Sequence, residues 1–350
     1  MLATSLITSV VTKADHPPAS FALLLLTPAR IARPLPVVSI LLCLLWAVSA
    51  PAQSFRKHVL LPAVSTSETA VKAAKRVFYQ LDPLTPTARG LLVLLPGLGE
   101  PARDVFRATH LAQEAAQRGF VVVVPGLNDR ISLDAASTRF LDDAIAVVVQ
   151  QRPAVARRLI IGGFSAGGQL AFAYAEGLVR DSTQRPWRVR AVLGVDPPLE
   201  LTTHWQRAQL HVDQHDCTPF QVYDQGTLDR LTRELGGSPA QFPGRYLTAS
   251  AFTRADPAGG NAQWLRRVPV RLYSEPDLAF WQATCPVYQP EDMNAYGATA
   301  LVACLQKLGN QHANFLSTMG KGFVGKHRMP HSWSIVDAVE CAEWLQHCLD

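Results

Sequence analysis

The sequence has few charged residues and no charged tract. Charged side chains make up 17% of its 350 residues against 48% hydrophobic ones, which supports a sizeable buried core and excludes disorder throughout. The net charge is +5 and the basic residues are scattered, so we predict no nucleic-acid partner. With no internal repeat or low-complexity tract, this length suits one large globular domain or two ordinary ones.

Cysteine is also scarce, and no Cys/His spacing resembles a zinc site, so the sequence implies neither a metal nor an organic cofactor. Beyond residue 52 the cysteines are Cys217, Cys285, Cys304, Cys341 and Cys348. An odd number leaves at least one of them unpaired within the chain. Cys285 with Cys304 is the disulfide we predict. Cys341 and Cys348 are separated by about 10.5 Å of rise on one predicted helix, too far for a direct bridge.

The first 52 residues contain no apolar run long enough to span a bilayer comfortably. Residues 37–48 carry no charge over twelve positions; Arg30 and Arg33 precede them, and small residues follow at 49–53. A positive, then apolar, then small-residue order is typical of a secretory signal. We predict that residues 1–52 form a leader cleaved after Ala50 or Ala52, and that the mature protein is exported to the periplasm or beyond without a stable membrane span. The alternative is an uncleaved membrane anchor.

Apolar runs and helix-like segments alternate along the rest of the chain. This alternation indicates an α/β fold with a mostly parallel central sheet and helices on both faces. Predicted strands cover residues 58–63, 76–81, 91–95, 120–124, 190–195, 270–274 and 314–319, besides the apolar run that begins at residue 158; the first two form an antiparallel entry. Predicted helices cover residues 103–118, 132–151, 171–178, 291–308 and 335–349.

Residues 158–171 join an apolar run to an Ala-rich helix through Gly-Phe-Ser-Ala-Gly at positions 163–167. A strand that reverses at once into a helix forces a sharp turn, whose flanking glycines let two backbones pass closely. The hydroxyl of Ser165 is then exposed at the tip, above the free N–H groups of a helix start. The stretch therefore predicts a nucleophilic serine, against the alternative of a glycine-rich turn without chemistry.

This stretch resembles the nucleophile elbow of the α/β-hydrolase superfamily, and the order of elements extends the resemblance over residues 76–349. The resemblance implies an α/β-hydrolase domain in residues 53–350. Residues 199–268, after the sixth strand, are too long for one simple connection, so we expect a lid over the site, or else a surface insertion with no role in binding.

A serine hydroxyl needs a base within hydrogen-bond reach and a carboxylate behind that base. The superfamily order of serine, acid and histidine implies His331 as the base, in the loop between the last strand and the last helix. It implies Asp277 as the acid, just beyond the strand at 270–274. The alternatives left open are His312 and His327 for the base, and Glu275 and Asp196 for the acid.

Two N–H donors are expected to stabilise the oxyanion. One is the N–H of Ala166 and the other comes from the Gly97-Leu98-Gly99 loop, with Leu98 as first choice. The commonest version of this loop in the superfamily carries His-Gly, and Pro96 stands here in place of that histidine. Trp281, Phe280, Trp205 and Tyr273 are candidates for lining an acyl or aromatic pocket, with a core position as the alternative for each.

The sequence thus predicts an exported serine hydrolase that cleaves a small-molecule ester through Ser165, His331 and Asp277, by way of an acyl-enzyme. A carboxylesterase is the first choice. A peptidase or amidase and an acyltransferase would use the same machinery, and a non-catalytic binding protein could share the fold. Acyl length and oligomeric state do not follow from these motifs.

Overall fold

A computed structural model describes residues 55–60, 76–214 and 218–350 of the chain. The predicted leader and its cleavage sites lie outside the described residues. Within the described ranges, none of the helices has the length and apolar character needed to cross a bilayer.

Eight strands form one sheet in the order β1-β2-β4-β3-β5-β6-β7-β8. Strands β3 to β8 are mutually parallel, whereas β2 pairs antiparallel with both β1 and β4, as the sequence predicted. The strands are β1 Arg56–Leu60, β2 Arg76–Leu81, β3 Gly90–Leu95, β4 Phe120–Pro125, β5 Leu159–Phe164, β6 Val189–Val195, β7 Val270–Ser274 and β8 Ala313–Ser317. A separate hairpin was not predicted; its two strands, β9 Phe323–Val324 and β10 His327–Arg328, have two residues each.

Helices cover both faces of the sheet, which confirms the predicted architecture. They are α1 Val105–Ala108, α2 Leu111–Gln117, α3 Ala135–Gln151, α4 Ala166–Arg180, α5 Leu201–Gln214, α6 Thr218–Leu235, α7 Pro243–Ala249, α8 Leu278–Thr284, α9 Asn294–Lys307 and α10 Ala338–His347. Alternate residues of β3 face opposite cores. Leu91 and Val93 pack with α3, α4 and α9, and Leu92 and Leu94 pack with α2 and α10.

The helices predicted at 103–118 and 335–349 depart from the structure for reasons that are local. The helix predicted at 103–118 is interrupted because Thr109 is extended (φ −141°, ψ 145°) and its hydroxyl accepts the Leu111 N–H at 3.2 Å. The second helix, α2, then starts at Leu111. The closing helix begins only at Ala338, because the Asp337 side chain caps it by accepting the Glu340 N–H at 3.1 Å.

The predicted Cys285–Cys304 disulfide is wrong. Cys285 is disulfide-bonded, but Cys304, Cys341 and Cys348 are free thiols. The Cys304 sulfur lies against the Gly259 turn and packs on the main core, whereas Cys285 packs with Tyr288 in a separate small cluster. The two cysteines therefore belong to different parts of the fold.

The long connection between β6 and β7 folds into three helices, α5, α6 and α7. It is held on the carboxyl edge of the sheet by polar contacts as well as by packing. Glu234 accepts the N–H of Ser132, just beyond β4, at 2.8 Å and its hydroxyl at 2.7 Å. Gln169, near the start of α4, donates to the Ala249 carbonyl at 2.7 Å. This insertion therefore lies above the edge at which Ser165 stands.

Candidate active site

Ser165 occupies a strained turn between β5 and α4. Its φ is 52° and its ψ is −124°, a backbone conformation that is costly for a residue with a side chain. The N–H of Ser165 donates to the Val195 carbonyl at 2.9 Å. A Cβ at Gly163 would lie 2.4 Å from the Gly167 carbonyl, and one at Gly167 would lie 2.3 Å from the Pro96 carbonyl. Both glycines are therefore required by close backbone approach.

Three side chains form a continuous hydrogen-bonded chain at this turn. The Nε2 atom of His331 lies 2.9 Å from the Ser165 hydroxyl oxygen, and its Nδ1 atom lies 2.5 Å from the Asp196 carboxylate. The imidazole also packs on the Phe164 ring, with centroids 4.6 Å apart. The ring is thus held in one orientation between an alcohol and an acid, an arrangement that can pull a proton from the alcohol.

Asp196 shares the backbone peculiarity of Ser165. Within the ranges that the structure describes, these two are the residues other than glycine with positive φ, 52° at Ser165 and 47° at Asp196. The Asp196 N–H donates to the Tyr273 carbonyl at 2.7 Å, and its carbonyl accepts from the Asn294 amide at 2.9 Å. Neighbouring elements thus hold the strained turn that aims its carboxylate at His331.

The preferred acid, Asp277, must be corrected, because the carboxylate at His331 belongs to Asp196. Asp277 accepts from Arg328 at 2.7 Å and caps α8 by accepting the Phe280 N–H at 3.0 Å. Glu275 accepts from Arg328 at 2.5 Å and from the Gly322 N–H at 2.6 Å. Arg328 on the β9–β10 hairpin therefore holds both carboxylates.

The other histidine candidates stand elsewhere. The carbonyl of His312 accepts the N–H of Val270, where β7 begins, which places His312 at the opposite edge of the sheet from Ser165. His327 is an exposed residue of the β9–β10 hairpin. Of the three histidines considered from the sequence, His331 is the one whose ring bonds to Ser165.

The loop after β3 approaches the start of α4. The Gly97 N–H donates to the Glu100 carboxylate at 2.8 Å and the Gly99 N–H donates to the Asn128 carbonyl at 2.7 Å. Between them, the N–H of Leu98 has no hydrogen-bond partner among the described residues. Leu98 packs in the same small cluster as Ala166, whose N–H belongs to the first helical turn and lacks an intrahelical acceptor. Both expected donors are thus unengaged beside the serine.

Several solved structures are similar to this chain in fold. Carboxyl esterase 2 of Tuber melanosporum matches with a TM-score of 0.52 at 14% identity, covering 86% of this chain and 90% of that one. MPT51 of Mycobacterium tuberculosis matches with a TM-score of 0.51 at 15% identity, covering 85% and 100%. An esterase of Pyrococcus furiosus matches with a TM-score of 0.50 at 10% identity, covering 85% and 91%. The chain has the α/β-hydrolase fold. No protein-family model and no curated protein matches the sequence.

In this α/β-hydrolase fold Ser165 follows β5, and the carboxylate bonded to His331 follows β6 rather than β7. Sequence reasoning included Asp196 among the alternatives because it also ends a strand. A further signal was the Asp-Pro step directly after a buried strand, which is typical of a tight turn.

Glu100 was missed by sequence reasoning although it directly follows the Gly-Leu-Gly loop. Its carboxylate accepts the Gly97 N–H at 2.8 Å and the Trp333 indole N–H at 3.0 Å. Burial raises the pKa of Glu100, and the hydrogen bonds from Trp333 and Gly97 oppose that shift. Because Trp333 is two residues beyond His331, Glu100 connects the loop of the expected oxyanion donor to the loop of the histidine.

A cavity of about 400 Å³ borders His331 and Asp196. Five aromatic residues from α6, α8 and the loop after α8 line it, namely Phe220, Tyr223, Phe280, Trp281 and Tyr288. Residues of α5 complete the wall, so the insertion after β6 contributes to the cavity. One of them, His204, is buried, and burial lowers its pKa to about 3, so it is neutral at physiological pH.

Proposed function

We propose that this protein is a serine hydrolase that cleaves a carboxylic ester of a small molecule, with Ser165 as nucleophile, His331 as general base and Asp196 as the acid. The hydrogen-bonded chain from Ser165 through His331 to Asp196 is the observation that carries the proposal. It has the connectivity of a serine, histidine and aspartate triad. The strained backbone at both ends of the chain supports a functional rather than a purely structural role.

The geometry supports a two-step acyl transfer. The Ser165 oxygen attacks the ester carbonyl while His331 Nε2 takes the hydroxyl proton, and Asp196 stabilises the imidazolium through Nδ1. The N–H groups of Leu98 and Ala166 stabilise the oxyanion, each by about 3 kcal/mol. His331 then returns the proton to the departing alkoxide oxygen. Water, deprotonated by the same imidazole, finally hydrolyses the acyl-enzyme.

The preference for an ester is supported by the names of two matched structures, a carboxyl esterase and an esterase. Amide hydrolysis and acyl transfer to an alcohol would use the same side chains. A panel of short and long acyl esters, peptide amides and acceptor alcohols separates these reactions, and we expect the short esters to react fastest.

Export is also proposed. The order of charged, apolar and small residues over 1–52 supports a secretory leader, and a disulfide at Cys285 is typical of an oxidising compartment. The intact mass of the protein recovered from cell fractions tests this. A periplasmic or extracellular product that begins at residue 51 or 53 is expected; an unprocessed, membrane-bound product would favour the anchor.

Labelling with a fluorophosphonate probe tests the nucleophile. Native protein should be labelled, and Ser165→Ala should be neither labelled nor active on p-nitrophenyl butyrate. Ser182→Ala, at an exposed position just after α4, is the matched control and should react like the native protein. A native protein that is unlabelled and inactive would favour a binding protein, and hydrolysis that survives Ser165→Ala would contradict the proposed mechanism.

A further inference from the structure

The position of this cavity relative to His331 indicates which part of an ester could occupy it. In the proposed reaction His331 returns a proton to the departing oxygen, so that oxygen must lie close to the imidazole. The cavity wall includes His331 and Asp196 themselves. A group that occupies the cavity therefore lies beside the proton donor, where the alcohol part of the substrate belongs.

The carboxylates that line this cavity already have partners. Asp196 is bonded to His331 and Glu275 to Arg328. The other two bond to His211: Asp224 lies 2.9 Å from its Nδ1 and Asp292 lies 3.5 Å from its Nε2. Those two aspartates raise the pKa of His211 to about 9, so at neutral pH it is an imidazolium that directs one N–H toward each of them.

Arg207 differs from these groups. It lines the same cavity, but no hydrogen bond or ion pair engages it within the described part of the chain. Its Nε atom is buried without a partner, as is the Nδ1 atom of His204. His204, Arg207 and His211 are spaced by three and four residues on α5, so they share one helix face. A partly buried guanidinium with no hydrogen-bonded acceptor is costly unless a ligand supplies one.

We propose that this cavity binds an anionic leaving group, an alcohol or phenol that carries a carboxylate, and that Arg207 is the residue that recognises the anion. The inference rests on the proposed function for the orientation of the substrate. A planar guanidinium suits a carboxylate because it can offer two parallel N–H donors. The aromatic side chains of Phe280, Trp281 and Tyr288 would contact the apolar body of such a group.

A matched series of butyrate esters tests the preference. The leaving groups are 3-hydroxybenzoate, 3-hydroxybenzamide and 3-hydroxyphenyltrimethylammonium, which differ in charge, and each rate is divided by its alkaline hydrolysis rate. We expect kcat/KM for the carboxylate ester to exceed that of the amide by at least about tenfold, since a hydrogen bond to a charged group is at stake. Equal rates, or a preference for the cationic ester, would overturn the proposal.

Variants assign the preference to Arg207. Arg207→Gln should lose most of the preference for the anion, and Arg207→Lys should keep part of it because the charge remains. Arg233→Gln removes an exposed arginine from the neighbouring helix α6 and should keep the native preference. If Arg207→Gln slows the anionic and neutral esters equally, Arg207 is only a distant counterion for Asp292 and the proposal fails.

A binding measurement separates this proposal from the proposed function. In Ser165→Ala, calorimetry should show 3-hydroxybenzoate binding at least about tenfold more tightly than 3-hydroxybenzamide, and adding Arg207→Gln should abolish the difference. Binding with that preference in a protein that neither hydrolyses esters nor reacts with a fluorophosphonate would leave the anion site standing and remove the hydrolase. Turnover of esters with no charge preference, together with equal or undetectable binding of both probes at millimolar concentration, would leave the hydrolase standing and remove the anion site.

Discussion

Replacing Glu100 tests whether the Gly97-Leu98-Gly99 loop, which carries the proposed oxyanion donor Leu98, is positioned by the Glu100 side chain. Its Oε2 atom accepts both the Gly97 N–H at 2.8 Å and the Trp333 indole N–H at 3.0 Å. Glu100→Leu removes the acceptor of both donors, and leaving two largely buried donors unpaired should cost about 2–4 kcal/mol of unfolding free energy. Glu100→Gln retains one oxygen at the Oε2 position, which can serve both donors, but its NH2 group replaces the Oε1 atom that lies 3.1 Å from the Trp333 indole nitrogen, so we expect a loss clearly smaller than that of Glu100→Leu.

The catalytic effect of Glu100→Leu follows from what still holds the loop. Asn128 continues to accept the Gly99 N–H and to donate to the Glu100 carbonyl, each at 2.7 Å. The Leu98 N–H is therefore displaced rather than lost. Complete loss of one oxyanion donor costs about 10²–10³ in kcat, so displacement should lower kcat by roughly 10–100-fold. KM should change little, because the donor acts mainly in the transition state.

Urea unfolding and steady-state kinetics on p-nitrophenyl butyrate measure the two effects separately. A Glu100→Leu variant that folds and keeps kcat within about threefold of native would show that the loop does not depend on this carboxylate. Damage of equal size in Glu100→Gln would refute the hydrogen-bond argument, since that variant retains an acceptor for both donors.

Gly167→Ala should lose about 2–3 kcal/mol in urea unfolding, because its Cβ would lie 2.3 Å from the Pro96 carbonyl, whereas Gly177→Ala on the same helix meets nothing within 4 Å and should gain about 0.5–1 kcal/mol. Similar stabilities for the two variants would contradict the close approach. The raised pKa of His211 stabilises the folded state fully below pH 6.5, and this contribution is lost as the pH rises through about 9. Native protein should therefore lose about 2–3 kcal/mol of unfolding free energy over that interval that His211→Gln does not lose, and parallel pH profiles would refute the pairing with Asp224 and Asp292.

The fold and the strained turn that carries Ser165 could be predicted because their signals are local. The apolar run, the two glycines and the Ala-rich helix around Ser165 are contiguous, and each requires the others sterically. The position of His331 followed from the order of elements alone. The rest of the site depends on contacts between segments far apart in sequence.

The acid shows this limit most clearly. Asp196, Glu275 and Asp277 all follow strands at the same edge, so their sequence positions are nearly equivalent. What separates them is Arg328, which binds Glu275 and Asp277 from a hairpin of two-residue strands. Strands that short have no hydrophobic period to predict them. The pairing of Asp196 with His331 could therefore be offered from the sequence only as an alternative.

Comparing the kcat of Asp196→Asn with that of Asp277→Asn tests most directly whether Ser165, His331 and Asp196 act together in catalysis. We expect a fall of about 10³–10⁴-fold for Asp196→Asn, because an amide cannot hold the productive imidazole tautomer. Asp277→Asn should change kcat by less than about threefold, because the Asp277 carboxylate bonds to Arg328 instead. Both variants should retain the native circular dichroism spectrum. A large loss of kcat in Asp277→Asn, with near-native turnover in Asp196→Asn, would contradict the assignment of Asp196 as the acid that supports His331.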